Sequence, residues 1–185
     1  GMSVAPHPHT GLATVSWLFT GEIEHRDSAG NQAMVLPGEL NLMTAGRGIS
    51  HTEVSTANTD VLHGAQLWLA LPDAERHREP SFDHYAPASV AVDGGEVRVF
   101  LGTLLGDTSP VATHTPLLGA EIVLETGARL EVELDATFEH GLLVDLGSVR
   151  FEGAELTHGE LGYRAPQAGA AVIEALEQTR LLLLG

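Results

Sequence analysis

Pro37-Gly38-Glu39-Leu40-Asn41-Leu42-Met43-Thr44-Ala45-Gly46-Arg47-Gly48-Ile49-Ser50-His51-Thr52-Glu53-Val54 contains two short apolar runs, each introduced by turn residues. Pro37-Gly38 and Ala45-Gly46-Arg47-Gly48 are too rich in Pro and Gly to continue a strand or helix, so strands are predicted at Leu40 to Thr44 and Ile49 to Val54. Side chains alternate between the two faces of a strand, which puts Ile49, His51 and Glu53 on one face. An imidazole and a carboxylate thus project together beside an apolar residue.

Upstream, His7 and His9 are also two residues apart and share a face if extended. Continued along one strand, the same parity runs through Ala13, Val15, Trp17 and Phe19, an apolar set that belongs inside. Further strands are predicted at Leu12 to Phe19, Ile23 to Asp27, Ala33 to Leu36 and Leu62 to Leu71, with turns at Gly21 and Ser28-Ala29-Gly30-Asn31. From Asp73 the chain turns polar, and Pro72, Pro80 and Pro87 interrupt regular structure. A linker over 81–96 therefore divides an N-terminal domain, 1–80, from a C-terminal one, 97–185. The second half repeats the β pattern at Val97 to Leu101, Ala120 to Leu124, Arg129 to Leu134, His140 to Leu146, Val149 to Phe151, Leu161 to Arg164, Ala171 to Ala175 and Arg180 to Leu184. An all-β fold of two tandem β units, related by duplication, is the simplest architecture.

Composition narrows the chemistry. The 185 residues hold no Cys, so thiolate metal sites, disulfides and cysteine nucleophiles are absent, as suits a reducing cytoplasm. Twenty-five acidic residues against 9 basic ones, all Arg and scattered, give a net charge of −16, which disfavours a nucleic-acid backbone. No apolar stretch is long enough to span a bilayer, no signal-peptide pattern opens the chain, and a cytoplasmic location is expected. Gly1 ahead of Met2 reads as a cloning remnant.

A closed sheet that brings the pair His7 and His9 to the pair His51 and Glu53 would gather three imidazoles and a carboxylate. Such a set suits one divalent transition metal: iron, manganese, nickel, copper or zinc. In a six-coordinate site two positions would stay open for substrate and dioxygen. A single inward His is more often a hydrogen-bonded core residue, and it is the pairing that favours a metal. His25, His63, His77, His84, His114, His140 and His158 lack it and read as surface or packing residues.

Pro6-His7-Pro8-His9-Thr10-Gly11, Thr14-Val15 and Gly21-Glu22-Ile23-Glu24-His25-Arg26-Asp27-Ser28 resemble the first cupin motif of the pirin family. Pro37-Gly38-Glu39, Met43 to Ile49, His51-Thr52-Glu53, Leu62-His63-Gly64 and Gln66-Leu67-Trp68 resemble the pirin signature more closely. The likeness is strong over residues 6–72 and looser over Leu117 to Leu184. It implies two cupin (jelly-roll) barrels, the N-terminal one lacking its first strands, with a mononuclear metal held by His7, His9, His51 and Glu53. Iron is the metal expected. The resemblance further implies quercetin 2,3-dioxygenase activity, with a polyphenol and dioxygen as substrates, Glu53 as a ligand that also takes the substrate's proton, and Val15, Trp17 and Phe19 near the pocket. Trp17 reads more simply as core. The competing implication is a non-enzymatic, metal-dependent module that binds a protein partner, as pirins do with transcription factors. Ala13 stands where pirins usually carry Glu, and open strand edges leave room for a homodimer.

Overall fold

The computed structural model describes residues 1–185 and contains strands and turns but no helix. No helix is therefore long and apolar enough to cross a membrane. The chain divides into two units, Gly1–Ala86 and Pro87–Gly185.

The first unit has eight strands: β1 (Ser3–His9), β2 (Leu12–Thr20), β3 (Ile23–Asp27), β4 (Gln32–Val35), β5 (Leu40–Thr44), β6 (Ile49–Ser55), β7 (His63–Ala70) and β8 (Ser81–Tyr85). They form two four-stranded antiparallel sheets, ordered β1-β6-β3-β4 and β7-β2-β5-β8. The expectation of one continuous strand from His7 to Phe19 is corrected here. β1 and β2 belong to different sheets, and the chain passes between them through Gly11, whose φ of +66° suits a residue without Cβ. That turn breaks the parity counted from His7. The even residues Ser16 and Leu18 of β2 line the cavity of this unit, while Ala13, Val15 and Trp17 are buried on the opposite face. Trp17 is core, and a Glu in place of Ala13 would point away from the cavity. β1 is an edge strand, carries Pro6 and Pro8, and pairs only with β6.

The linker expected over 81–96 is largely strand instead. β8 pairs with β5 along its whole length, from Leu40 opposite Tyr85 to Thr44 opposite Ser81. Val90–Val92 pairs with the strand that follows it.

The second unit continues with β9 (Val90–Val92), β10 (Gly95–Leu101), β11 (Thr103–Leu104), β12 (Asp107–Thr108), β13 (Gly119–Leu124), β14 (Arg129–Val132), β15 (His140–Leu146), β16 (Ser148–Phe151), β17 (Ala154–Thr157), β18 (Leu161–Arg164), β19 (Ala171–Ala175) and β20 (Thr179–Leu184). A six-stranded sheet, β18-β15-β20-β13-β10-β9, and a four-stranded one, β14-β19-β16-β17, share a core that includes Val97, Ile122, Leu142, Phe151, Ile173 and Leu183. Burying each such side chain contributes about 1.5–3 kcal/mol. Alternation sets the inner faces: β14 buries Leu130 and Val132 and exposes Arg129 and Glu131. On the outer face Arg150 lies directly opposite both Glu155 and Glu174 and bonds to each, which fixes the register of β17-β16-β19.

Candidate metal centre

β6 is central to the site because it runs between β1 and β3. His7 of β1 lies opposite His51, and Asp27 and His25 of β3 lie opposite His51 and Glu53. This register gathers side chains from residues 7–9, 25–27 and 51–53.

Three imidazoles converge. The Nε2 atom of His51 is 3.1 Å from Nε2 of His7 and 3.1 Å from Nε2 of His9. His7 Nδ1 donates to the Ala5 carbonyl at 3.0 Å, which leaves its Nε2 unprotonated in the neutral ring. His51 is fixed from its other edge. Its Nδ1 is 3.4 Å from His25 Nδ1, and His25 Nε2 is 3.3 Å from Asp27 Oδ2. A carboxylate only accepts, so His25 donates from Nε2, accepts at Nδ1 from His51, and leaves the His51 Nε2 lone pair bare. The His7 and His51 nitrogens thus face each other with lone pairs rather than across a hydrogen bond. An arrangement of that kind calls for a cation. Two nitrogens about 2.1 Å from one ion and at right angles to each other stand about 3.0 Å apart, close to the observed spacing.

Electrostatics favour the ligand forms. Burial, then the neighbouring charges of His7, His25 and His9, lowers the His51 pKa from 6.5 to about 4. Burial, followed by His7, also lowers His9. Both rings are neutral near pH 7, as metal binding requires. Burial raises Asp27, but hydrogen bonds from Asn31, His25 and the Ala29 amide outweigh it and hold the carboxyl below its ordinary value. Asp27 is therefore a stable anion at the end of the chain Asp27–His25–His51.

Glu53 falls in a second cluster that overlaps the first at His51 and includes His25. Gln66 Nε2 donates to both of its carboxylate oxygens, at 3.2 and 3.1 Å, and reaches Ser16 Oγ at 3.4 Å. Of the four residues singled out from sequence, His7, His9 and His51 come within 4.8 Å of one another, and Glu53 adjoins them through His51. His25, read from sequence as a surface or packing residue, is instead buried against His51. Its signal was the shared parity of Ile23, His25 and Asp27, which mattered only once β3 paired with β6.

A cavity of about 310 Å³ opens onto these groups, lined by His7, Glu53, Ser16 and Gln66 and by apolar residues including Val4, Leu18, Ile23 and Leu62. Val15, Trp17 and Phe19, the wall expected from sequence, do not line it. Trp68, 65% exposed, meets the His9 ring edge-to-face at a centroid distance of 5.3 Å.

Comparison with known proteins identifies the family. The family model described as Pirin matches residues 1–69. A Pseudomonas aeruginosa protein provisionally named a quercetin 2,3-dioxygenase is 40% identical over 186 residues, covering 100% of this chain and 59% of its own length. A pirin-like protein of Caulobacter vibrioides is 36% identical, covering 98% of the chain and 65% of its own length. The crystal structure of a quercetin 2,3-dioxygenase from Acinetobacter baumannii matches with a TM-score of 0.94 and 39% identity, over 100% of this chain and 62% of that one. The chain thus spans less than two thirds of the length of each of these three relatives. With an all-β fold in two units and a His-rich centre in the first, the chain belongs to the pirin family and has the bicupin fold of the cupin superfamily.

Proposed function

We propose that this chain carries the metal centre of a dioxygenase acting on flavonols such as quercetin, with His7, His9, His51 and Glu53 as ligands of one iron ion. The observation that carries the proposal is the meeting of three imidazoles, with His51 Nε2 at 3.1 Å from Nε2 of both His7 and His9, beside a buried carboxylate. Three imidazoles and a carboxylate also accept manganese, nickel, copper or zinc. When bound, the ion would supply Lewis acidity and a template on which the flavonol's hydroxyl and dioxygen meet. The names of the Pseudomonas and Acinetobacter relatives support the reaction class and the polyphenol substrate.

The residues do the rest. Glu53 accepts the flavonol's hydroxyl proton at a carboxylate oxygen, and Gln66 fixes the orientation of that carboxylate. Val4, Leu18, Ile23 and Leu62 exclude water from one side of the bound rings. Trp68 offers an exposed aromatic face next to His9, where a flat polyphenol would stack. The Asp27–His25 pair holds the His51 ring in one orientation and tautomer.

Elemental analysis of the purified chain, followed by oxygen-uptake measurement with quercetin, tests the reading. We expect one iron per chain, flavonol-dependent oxygen consumption, and loss of both in His7→Ala and His51→Ala but not in His63→Ala. Metal content unchanged in the first two variants rejects the ligand set. Bound metal without oxygen uptake rejects the dioxygenase and leaves a metal-dependent module that binds a partner protein.

A further inference from the structure

The register of β3 and β6 sets His25 directly opposite Glu53 and Asp27 opposite His51. His25 meets His51 at Nδ1, on the edge of the ring away from Nε2, where His7 and His9 converge. His25, His51 and Glu53 are all buried, and one ligand atom from each lies within 4.8 Å of the other two. Neither His25 nor His51 lines the cavity that reaches His7, so this inner group is closed where the outer one is open.

His25 has the surroundings of a metal ligand. Its Nε2–H donates to Asp27 Oδ2 at 3.3 Å, the carboxylate support that ligating histidines characteristically have, and its Nδ1 lone pair faces His51. Phe82 lies against the His25 ring at a centroid distance of 4.8 Å and holds its plane. The Nδ1 atoms of His25 and His51 are 3.4 Å apart, long for a hydrogen bond. Two nitrogens about 2.1 Å from one ion, at the tetrahedral angle, stand about 3.4 Å apart, so the spacing fits a shared tetrahedral ion. The outer contacts, at 3.1 Å, fit the right angles of a six-coordinate ion instead.

His51 links the two groups, because a neutral imidazole has one proton and one lone pair. With the proton on Nδ1, the Nε2 lone pair serves the side of His7 and His9. With the proton on Nε2, that N–H donates to His7 Nε2, 3.1 Å away, and Nδ1 is free for an ion beside His25. Both arrangements satisfy the ring, and each opens one site while closing the other. Zinc takes four ligands in tetrahedral geometry and accepts imidazole and carboxylate alike.

We infer that His25, His51 and Glu53 form a second, inner metal site that takes one zinc ion, and that this ion and the iron of the outer set exclude each other through the tautomer of His51. The exclusion rests on the proposed outer ligands, whereas the inner site does not.

The metal-free full chain is titrated with zinc against a chromophoric chelator, and with cobalt(II), whose visible bands are intense in a tetrahedral site and weak in an octahedral one. His7→Ala/His9→Ala keeps the inner ligands and should bind one zinc per chain, give the intense cobalt spectrum and lose iron. Added to that background, His25→Gln and Glu53→Gln should each weaken zinc binding by more than the about 10- to 100-fold expected from losing a residue that only supports a ligand. X-ray absorption of the zinc-loaded wild type, which needs no variant, should count two imidazoles at the ion. Zinc given to the iron-loaded wild type should replace iron, so that the total stays at one ion per chain. Three imidazoles on the wild-type zinc, a weak cobalt spectrum in His7→Ala/His9→Ala, or zinc affinity there unchanged by His25→Gln and Glu53→Gln would overturn the inner site. Iron and zinc held together in one wild-type chain would overturn the exclusion. Iron retained by His7→Ala/His9→Ala rejects the outer ligand set instead, and the zinc and cobalt readouts still decide the inner one.

Discussion

Acid should destabilise the metal-free protein through His51 by an amount that follows from its surroundings. The ring is 2% exposed and faces three other imidazoles, which holds its pKa near 4 against 6.5 for the free side chain. Between those values the unfolded chain binds a proton that the folded chain refuses, so stability rises with pH through the interval and falls on acidification. At pH 7.5 both states are deprotonated and the effect is negligible. By pH 5 the unfolded state gains about 2 kcal/mol, and below pH 4 the full difference of about 3 kcal/mol is reached. Urea unfolding in the presence of a chelator, repeated from pH 7.5 to 5, measures the loss. His9 and His140 are shifted the same way and add to it, so the comparison that isolates His51 is with His51→Gln, which cannot titrate. Wild type should lose about 2 kcal/mol more than the variant over this range. Parallel pH profiles for the two proteins would refute the account of a desolvated His51 surrounded by like charges.

Other outcomes follow from the same geometry. Asp27→Asn removes the anion at the end of the Asp27–His25–His51 chain and should weaken metal binding about 10- to 100-fold, read by competition with a chromophoric chelator. Trp68→Ala should change unfolding free energy by less than about 0.5 kcal/mol, because the side chain is largely exposed, while raising the KM for quercetin about 2- to 10-fold. Ile122→Ala, in the core of the second unit, should cost about 2–5 kcal/mol in urea unfolding and leave metal content unchanged.

Much of both units was legible because strand parity is a local property. His51 and Glu53 could be put on one face from their spacing, and β3, β5, β15, β18 and β19 begin and end where alternation and turn residues place them. What failed was carrying parity across Gly11. A residue with φ of +66° reverses the chain into another sheet, so the even side chains of β2, not Val15 and Trp17, meet the cavity. His25 was missed for a different reason. A lone His in a strand becomes informative only when register brings it opposite Glu53, and register between β3 and β6 depends on packing across residues far apart in sequence. β8 was mistaken for linker because it is an edge strand with little buried surface, so its composition is polar and its hydrophobic signal weak.

The two prolines of β1 have a consequence for solution behaviour. Proline has no amide hydrogen, so β1 has no backbone donor to offer a further strand at positions 6 and 8. A neighbouring molecule that tried to extend this sheet would find carbonyls without matching N–H groups. The border that delivers His7 and His9 to the centre is thereby a poor template for strand addition, which guards it against fibrillar aggregation and makes it an unfavourable seam for self-association.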